Sequence, residues 1–240
     1  MPILVPKFYL TDVKKDPVLR IEIFVHIPKN AGTFYVENAK NDYFVYFEGH
    51  HNATFYRTLL NMDFRSALLE KFKKDDLVAT VTYFVRNPIE RFLSNYYYAK
   101  MTKSYHHSID GNARHGIHPD YYYLARFPNI KDFVAYIKDF PNEITNGVLK
   151  HQGWAPQYTW LVDPITGDFV QRSSFNCSVN VSIKSASELN KANAINKSSY
   201  GDDLQLLDKD DYLFIKSLYS RDYNQFQISD FNIPGTDEYV

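Results

Sequence analysis

Phe24-Val25-His26-Ile27-Pro28-Lys29-Asn30-Ala31-Gly32-Thr33-Phe34-Tyr35 is the stretch on which the fold turns. Upstream, Arg20 to Ile27 alternates and then runs apolar with several β-branched residues, the pattern of a buried strand. A Pro, a Lys and a small-residue turn through Ala31 and Gly32 follow, and Thr33 to Lys40 has the composition of a helix. A strand, a tight turn and a helix leave unpaired backbone N–H groups at the helix start, with the positive end of the dipole behind them. Such a place binds anions, phosphate above all. The turn differs from the nucleotide-triphosphate loop G-x-x-x-x-G-K-[ST], because Lys29 precedes it and no Gly opens it. A Lys in this position can reach over a phosphate to the bond being broken. The plain alternative is an ordinary βα turn with a surface Lys.

A second stretch bears on that choice. Leu77 to Val85 is another strand-like run, followed by Arg86-Asn87-Pro88-Ile89-Glu90-Arg91-Phe92-Leu93-Ser94-Asn95-Tyr96-Tyr97-Tyr98. Asn87 suits the N-cap, Pro88 the first helical position, and Glu90 the partner in a capping box. Ile89, Phe92, Leu93 and Tyr96 fall at i, i+3, i+4, i+7 and form an apolar stripe. Arg86 at the strand end and Ser94 off the stripe are then expected to face the cleft at the carboxyl edge of the sheet, where open α/β sheets bind ligands. Arg with Ser is a suitable pair for a phosphate.

These two stretches together resemble the cofactor motifs of the carbohydrate sulfotransferases, nearest to the heparan sulfate 2-O-sulfotransferase group and its shorter bacterial and viral relatives. Trp154-Ala155-Pro156-Gln157-Tyr158 and the closing Ile215-Lys216-Ser217-Leu218-Tyr219-Ser220-Arg221-Asp222-Tyr223 extend the likeness thinly over most of the chain. The resemblance implies a P-loop-like parallel sheet flanked by helices. It implies 3′-phosphoadenosine 5′-phosphosulfate (PAPS) as sulfate donor and no metal. On it, Asn30 is a cofactor-binding residue, and the backbone N–H groups of Ala31, Gly32, Thr33 and Phe34, with the Thr33 hydroxyl, cradle the 5′-phosphate. Lys29 neutralises the bridging oxygen, and Arg86 and Ser94 hold the 3′-phosphate. Relatives carry a Glu-Asn-Leu element late in the chain that is missing here, which leaves the adenine end open.

Composition sets the frame for these motifs. At 240 residues and 45% hydrophobic, the chain suits one domain with one core. A net charge of -1 gives no global field toward nucleic acid or membrane, so anion recognition must be local. The lone Cys177 excludes an internal disulfide and a thiolate metal cluster. No apolar run approaches the ~18 residues of a transmembrane helix, and the N-terminus lacks a signal-peptide pattern. The expectation is a soluble, cytoplasmic protein, on which the sequons at Asn52, Asn176, Asn180 and Asn196 are accidents of composition. With 20 Tyr and 18 Phe, aromatic rings are plentiful for a core and for stacking on sugars.

Along the chain, residues 1–19 have Pro2, Pro6 and Pro17 as breakers and suggest an irregular lead-in. Tyr43 to Phe47 suggests a short strand and Arg65 to Lys74 a helix, so the βα alternation argues for a parallel sheet with helices on both faces. Residues 100–128 form an irregular insert with His106, His107, Arg114, His115, His118 and Tyr121 to Tyr123. Ile130 to Phe140 is helical, with Phe133, Val134 and Ile137 on one face. Thr159 to Val162 and Phe169 to Arg172 suggest a hairpin, residues 173–199 a loop, and Asp208 the cap of a last helix through about Phe226.

Attack by an acceptor hydroxyl needs a base. The resemblance points to a His after the second strand, where Glu48-Gly49-His50-His51 stands in place of the family's His-Gly-His. His50 is the first candidate and His51 the second; otherwise both are surface histidines. Arg114, His115, His118 and Tyr122 in the insert are candidates to bind a carbohydrate acceptor, against half a metal site at His115-Gly116-Ile117-His118 or a plain polar loop. A P-loop kinase of a small molecule, or a non-catalytic nucleotide- or glycan-binding module, are the alternatives to a sulfotransferase.

Overall fold

A computed structural model describes residues 7–10, 17–25, 27, 29–30, 45–49, 62–101, 105–109, 112–116, 118–145, 152–162, 179–185 and 202–240. The chain divides into two compact units, one of residues 1–85 and 157–193 and one of residues 86–156 and 194–240.

The first unit is built on a sheet. Its strands are β1 (Lys7–Leu10), β2 (Val18–Val25), β3 (Val45–Gly49), β4 (Asp76–Val85) and, from much later in the chain, β7 (Val179–Ser185). They lie in the order β1-β3-β2-β4-β7. β3, β2, β4 and β7 run parallel, and only β1 is antiparallel, against β3. Thr82, Tyr83, Phe84 and Val85 are all buried, so the end of β4 is covered on both faces, as central parallel strands are. Helix α1 (Met62–Phe72) precedes β4. The architecture is mixed α/β with a largely parallel sheet.

The second unit is helical. It holds α2 (Pro88–Met101), the antiparallel pair β5 (Tyr105–Ile109) and β6 (Asn112–Gly116), α3 (Tyr121–Leu124), α4 (Ile130–Asp139), α5 (Asn142–Thr145), α6 (Lys209–Leu218) and α7 (Ser220–Phe226). Ile130, Phe133, Val134 and Ile137 of α4 are fully buried at helical spacing. Phe133 is the hub of an aromatic core. It stacks on Phe92 at 5.9 Å and Tyr96 at 5.4 Å, and meets Trp154 edge-on at 5.8 Å. Burying a Phe is worth about 1.5–3 kcal/mol, and each well-set ring pair adds about 0.5–1.5 kcal/mol.

Several expectations are corrected. The lead-in contains β1. The 173–199 loop contains β7, whose Val179, Val181 and Ile183 alternate with polar residues. Instead of a hairpin strand, Gln157–Leu161 is a 3-10 turn, while residues 169–172 lie outside the described residues. The insert contains the β5–β6 hairpin, and the expected last helix of the chain breaks at Tyr219 into α6 and α7. Asp208 does cap α6, in a capping box with Asp211.

Candidate functional site

Parallel pairing brings the carboxyl ends of β2, β3 and β4 to one edge, with Val25 opposite both Gly49 and Tyr83. From β2 the chain goes to β3 on one side, and from β4 it goes to β7 on the other. The switch point of the sheet, where α/β proteins bind ligands, therefore lies beyond β2 and β4.

The turn after β2 occupies that edge. Ile27 donates its N–H to the Val25 carbonyl at 3.0 Å, and Asn30 donates its own to the Ile27 carbonyl at 3.3 Å. Between them Lys29 takes a left-handed backbone, φ 68°. Two other non-glycine residues share that conformation among those described, Lys73 and Gln227, and both close helices, where it is ordinary. Lys29 has no helix to close. Asn30 is 1% exposed, and its Nδ2 donates to the Phe84 carbonyl at 2.7 Å and to Gln157 Oε1 at 2.6 Å. Its Oδ1, equally buried, accepts no hydrogen bond from the described residues. Asn30, expected as a cofactor-binding residue, ties the turn to β4 and to Gln157 through its side chain. Ala31, Gly32, Thr33 and Phe34 lie outside the described residues, as do His50 and His51, which follow β3 in sequence.

In the helical unit, Arg86 is 13% exposed and donates from Nε to Glu90 Oε2 at 3.1 Å. The expected Asn87–Glu90 capping box is replaced by this ion pair. Asn87 Oδ1 instead accepts from the Ile89 N–H and the Tyr223 hydroxyl, both at 3.0 Å, and its Nδ2 donates to the Ser229 carbonyl. Ser94 is only 4% exposed, and Arg91 and Asn95 beside it are buried too, so α2 has no open polar face of the kind its periodicity suggested. Arg91 Nη1 donates to the Ala155 carbonyl at 2.7 Å. Burial lowers the Arg91 pKa, Tyr219 and buried Asp222 oppose that shift, and Arg86 adds to it. Two guanidinium groups therefore lie within electrostatic reach of each other at the start of a 14-residue helix, whose dipole adds positive charge.

The insert's residues separate. Arg114 pairs with His107, and His115 with His106, across the β5–β6 ladder. Tyr122 is 68% exposed, with its ring edge-on to Tyr121 at 5.5 Å. His118 is 1% exposed and packs against the Tyr98 ring, and its Nδ1 accepts from the Asp120 N–H at 3.2 Å. Asp120 Oδ2 in turn accepts from Trp154 Nε1 at 3.0 Å, and the Trp154 carbonyl accepts from the Tyr219 hydroxyl. A histidine held this way lies in the interior, unlike the exposed Tyr122. No group of three or more His, Cys, Asp or Glu suited to a metal ion occurs among the described residues.

No family model, curated protein or solved structure matches this chain. No described helix is long and apolar enough to cross a membrane. Gln157 and Arg91 are the residues that sequence reasoning passed over. Gln157 stands in a quoted motif, but its partner Asn30 is 127 positions away.

Proposed function

We propose that the protein is a PAPS-dependent sulfotransferase, on a sheet of the P-loop-like sulfotransferase kind, acting on a hydroxyl of a carbohydrate. The observation that carries this reading is the Lys29–Asn30 turn at the carboxyl end of β2, on the switch-point edge of a parallel sheet. The acceptor oxygen attacks sulfur while the bond from sulfur to the 5′-phosphate oxygen breaks, and 3′-phosphoadenosine 5′-phosphate (PAP) leaves. His50, or His51 one position on, takes the acceptor's proton. Lys29 offsets the charge that develops on the leaving oxygen. Positioning and charge stabilisation supply most of such a rate enhancement, as in phosphoryl transfer. Residues 31–34 cradle the 5′-phosphate. Arg86 shares its guanidinium between Glu90 and the 3′-phosphate, whose two oxygens suit the planar fork, and Ser94 assists. Arg114, His115 and Tyr122 supply the acceptor contacts, without His118.

The test is a screen of polysaccharides, glycolipids and small alcohols with radiolabelled PAPS, together with calorimetry of PAP. Transfer of label to one acceptor class is expected, undiminished by a chelator. Binding of PAP with no transfer to any acceptor would make the protein a binding module. A protein that binds no PAP is not a sulfotransferase.

A further inference from the structure

We propose that Asn30 and Gln157 are positioning residues that hold Lys29 in its left-handed backbone conformation, shaping the turn before any ligand arrives. For a residue with a Cβ that conformation is disfavoured by roughly five- to thirtyfold in the folding equilibrium. It persists only where the surroundings over-determine it. Both flanks of Lys29 supply that determination. On one side Ile27 is buried and its N–H is bonded to Val25. On the other, both amide hydrogens of Asn30 are committed, one to the backbone of β4 and one to Gln157, which is itself fully buried. Among the described residues Asn30 Oδ1 has no donor, so there the residue forgoes one buried hydrogen bond while making two that anchor the turn. The link joins the turn to the Gln of Trp154-Ala155-Pro156-Gln157, a connection invisible in either stretch alone.

The role of Lys29 in donor binding rests on the sulfotransferase reading; the conformational claim does not. Two arms keep them apart. The first needs no ligand. Lys29→Gly and Lys29→Ala both remove the side chain, and only Gly relieves the backbone, so their difference in unfolding constant measures the strain at that position. We expect Lys29→Gly to be the more stable by roughly five- to tenfold in the otherwise native chain. In an Asn30→Ala background the advantage should vanish, because the released turn no longer holds position 29 in that conformation. Gln157→Ala should shrink it in the same direction and serves if Asn30→Ala does not fold. An equal advantage in all backgrounds overturns the proposal. In the second arm, with Lys29 present, Asn30→Ala is expected to weaken PAP about tenfold, since the Lys is no longer presented. Unchanged PAP affinity overturns the positioning role. If the unaltered protein binds no PAP, the functional reading falls and the first arm alone judges the clamp.

Discussion

Asp211 offers the sharpest test of how the helical unit is held. It is 1% exposed, and its carboxylate accepts from Lys131 Nζ, from Lys138 Nζ at 2.6 Å and from the Asp208 N–H at 3.0 Å. One carboxylate thus joins α4 to the first turn of α6. Fully buried, each charge-assisted bond would be worth about 1.5–3 kcal/mol. The two ammonium groups are 36% and 35% exposed and rehydrate when released, which reduces each to roughly 0.5–1 kcal/mol. Losing half of the capping box adds roughly 0.5–1 kcal/mol. Asp211→Ala should therefore destabilise by about 1.5–3 kcal/mol. Asp211→Asn, which keeps an acceptor for the Asp208 N–H, should cost about 1–2 kcal/mol. The two tryptophans make the assay selective, because Trp154 is buried in the helical unit and Trp160 in the sheet unit. In a Trp160→Phe protein, urea unfolding followed by fluorescence reports the helical unit alone. A loss below about 0.5 kcal/mol for Asp211→Ala, the range of an unremarkable surface change, would refute the clamp.

Three further outcomes are expected. Lys131 and the Asp211 backbone lower the Asp208 pKa from 3.8 to about 2, so its share of stability is complete above pH 4. That share disappears as the pH falls toward 2; acid unfolding of Asp208→Asn should lack this component, and an identical acid profile would remove the ion pair from the account. Arg86→Ala should weaken PAP by on the order of 2 kcal/mol and leave adenosine 5′-phosphate nearly unaffected, as calorimetry would show; equal losses for both would take Arg86 off the 3′-phosphate. His50→Ala should cut kcat by about a hundred- to ten-thousand-fold with PAP affinity intact. His51→Ala should cost far less, and the opposite ranking in steady-state assays would make His51 the base.

What the chain disclosed in advance follows from how local each signal is. β2 and β4 announced themselves as apolar β-branched runs, and α4 by Phe133, Val134 and Ile137 at helical spacing. Asp208 was legible as a cap because its partner Asp211 is three residues away. The hairpin β5–β6 was missed, although Asp110-Gly111, a strong turn pair, separates Ile109 from Asn112. Its histidines drew attention to chemistry instead of geometry. β1 and β7 are short sheet edges among the described strands, and half-polar alternation in a Ser- and Asn-rich segment resembles a loop until a neighbour appears. The polar side of α2 was misread for a related reason. Arg91 is buried because Ala155 and Asp222, distant in sequence, accept or balance it, and periodicity cannot see them. At the sheet edge, the turn after β2 was legible, while the Asn30–Gln157 link was not.

The pairing of β4 with β7 has a kinetic consequence. Ala79 lies opposite Val179, a hundred residues along the chain, and everything between them includes most of the helical unit. During synthesis the long strand β4 is complete well before its partner exists, leaving one hydrogen-bonding edge open while α2 to α5 emerge. Closing so large a loop slows the final strand addition, and an open apolar edge invites association with other chains in the meantime. Within the sheet unit the last step is then the docking of β7, the strand with the most polar sequence in the parallel set. Its alternating Asn180, Ser182 and Lys184 keep the late-arriving edge soluble until it finds its place.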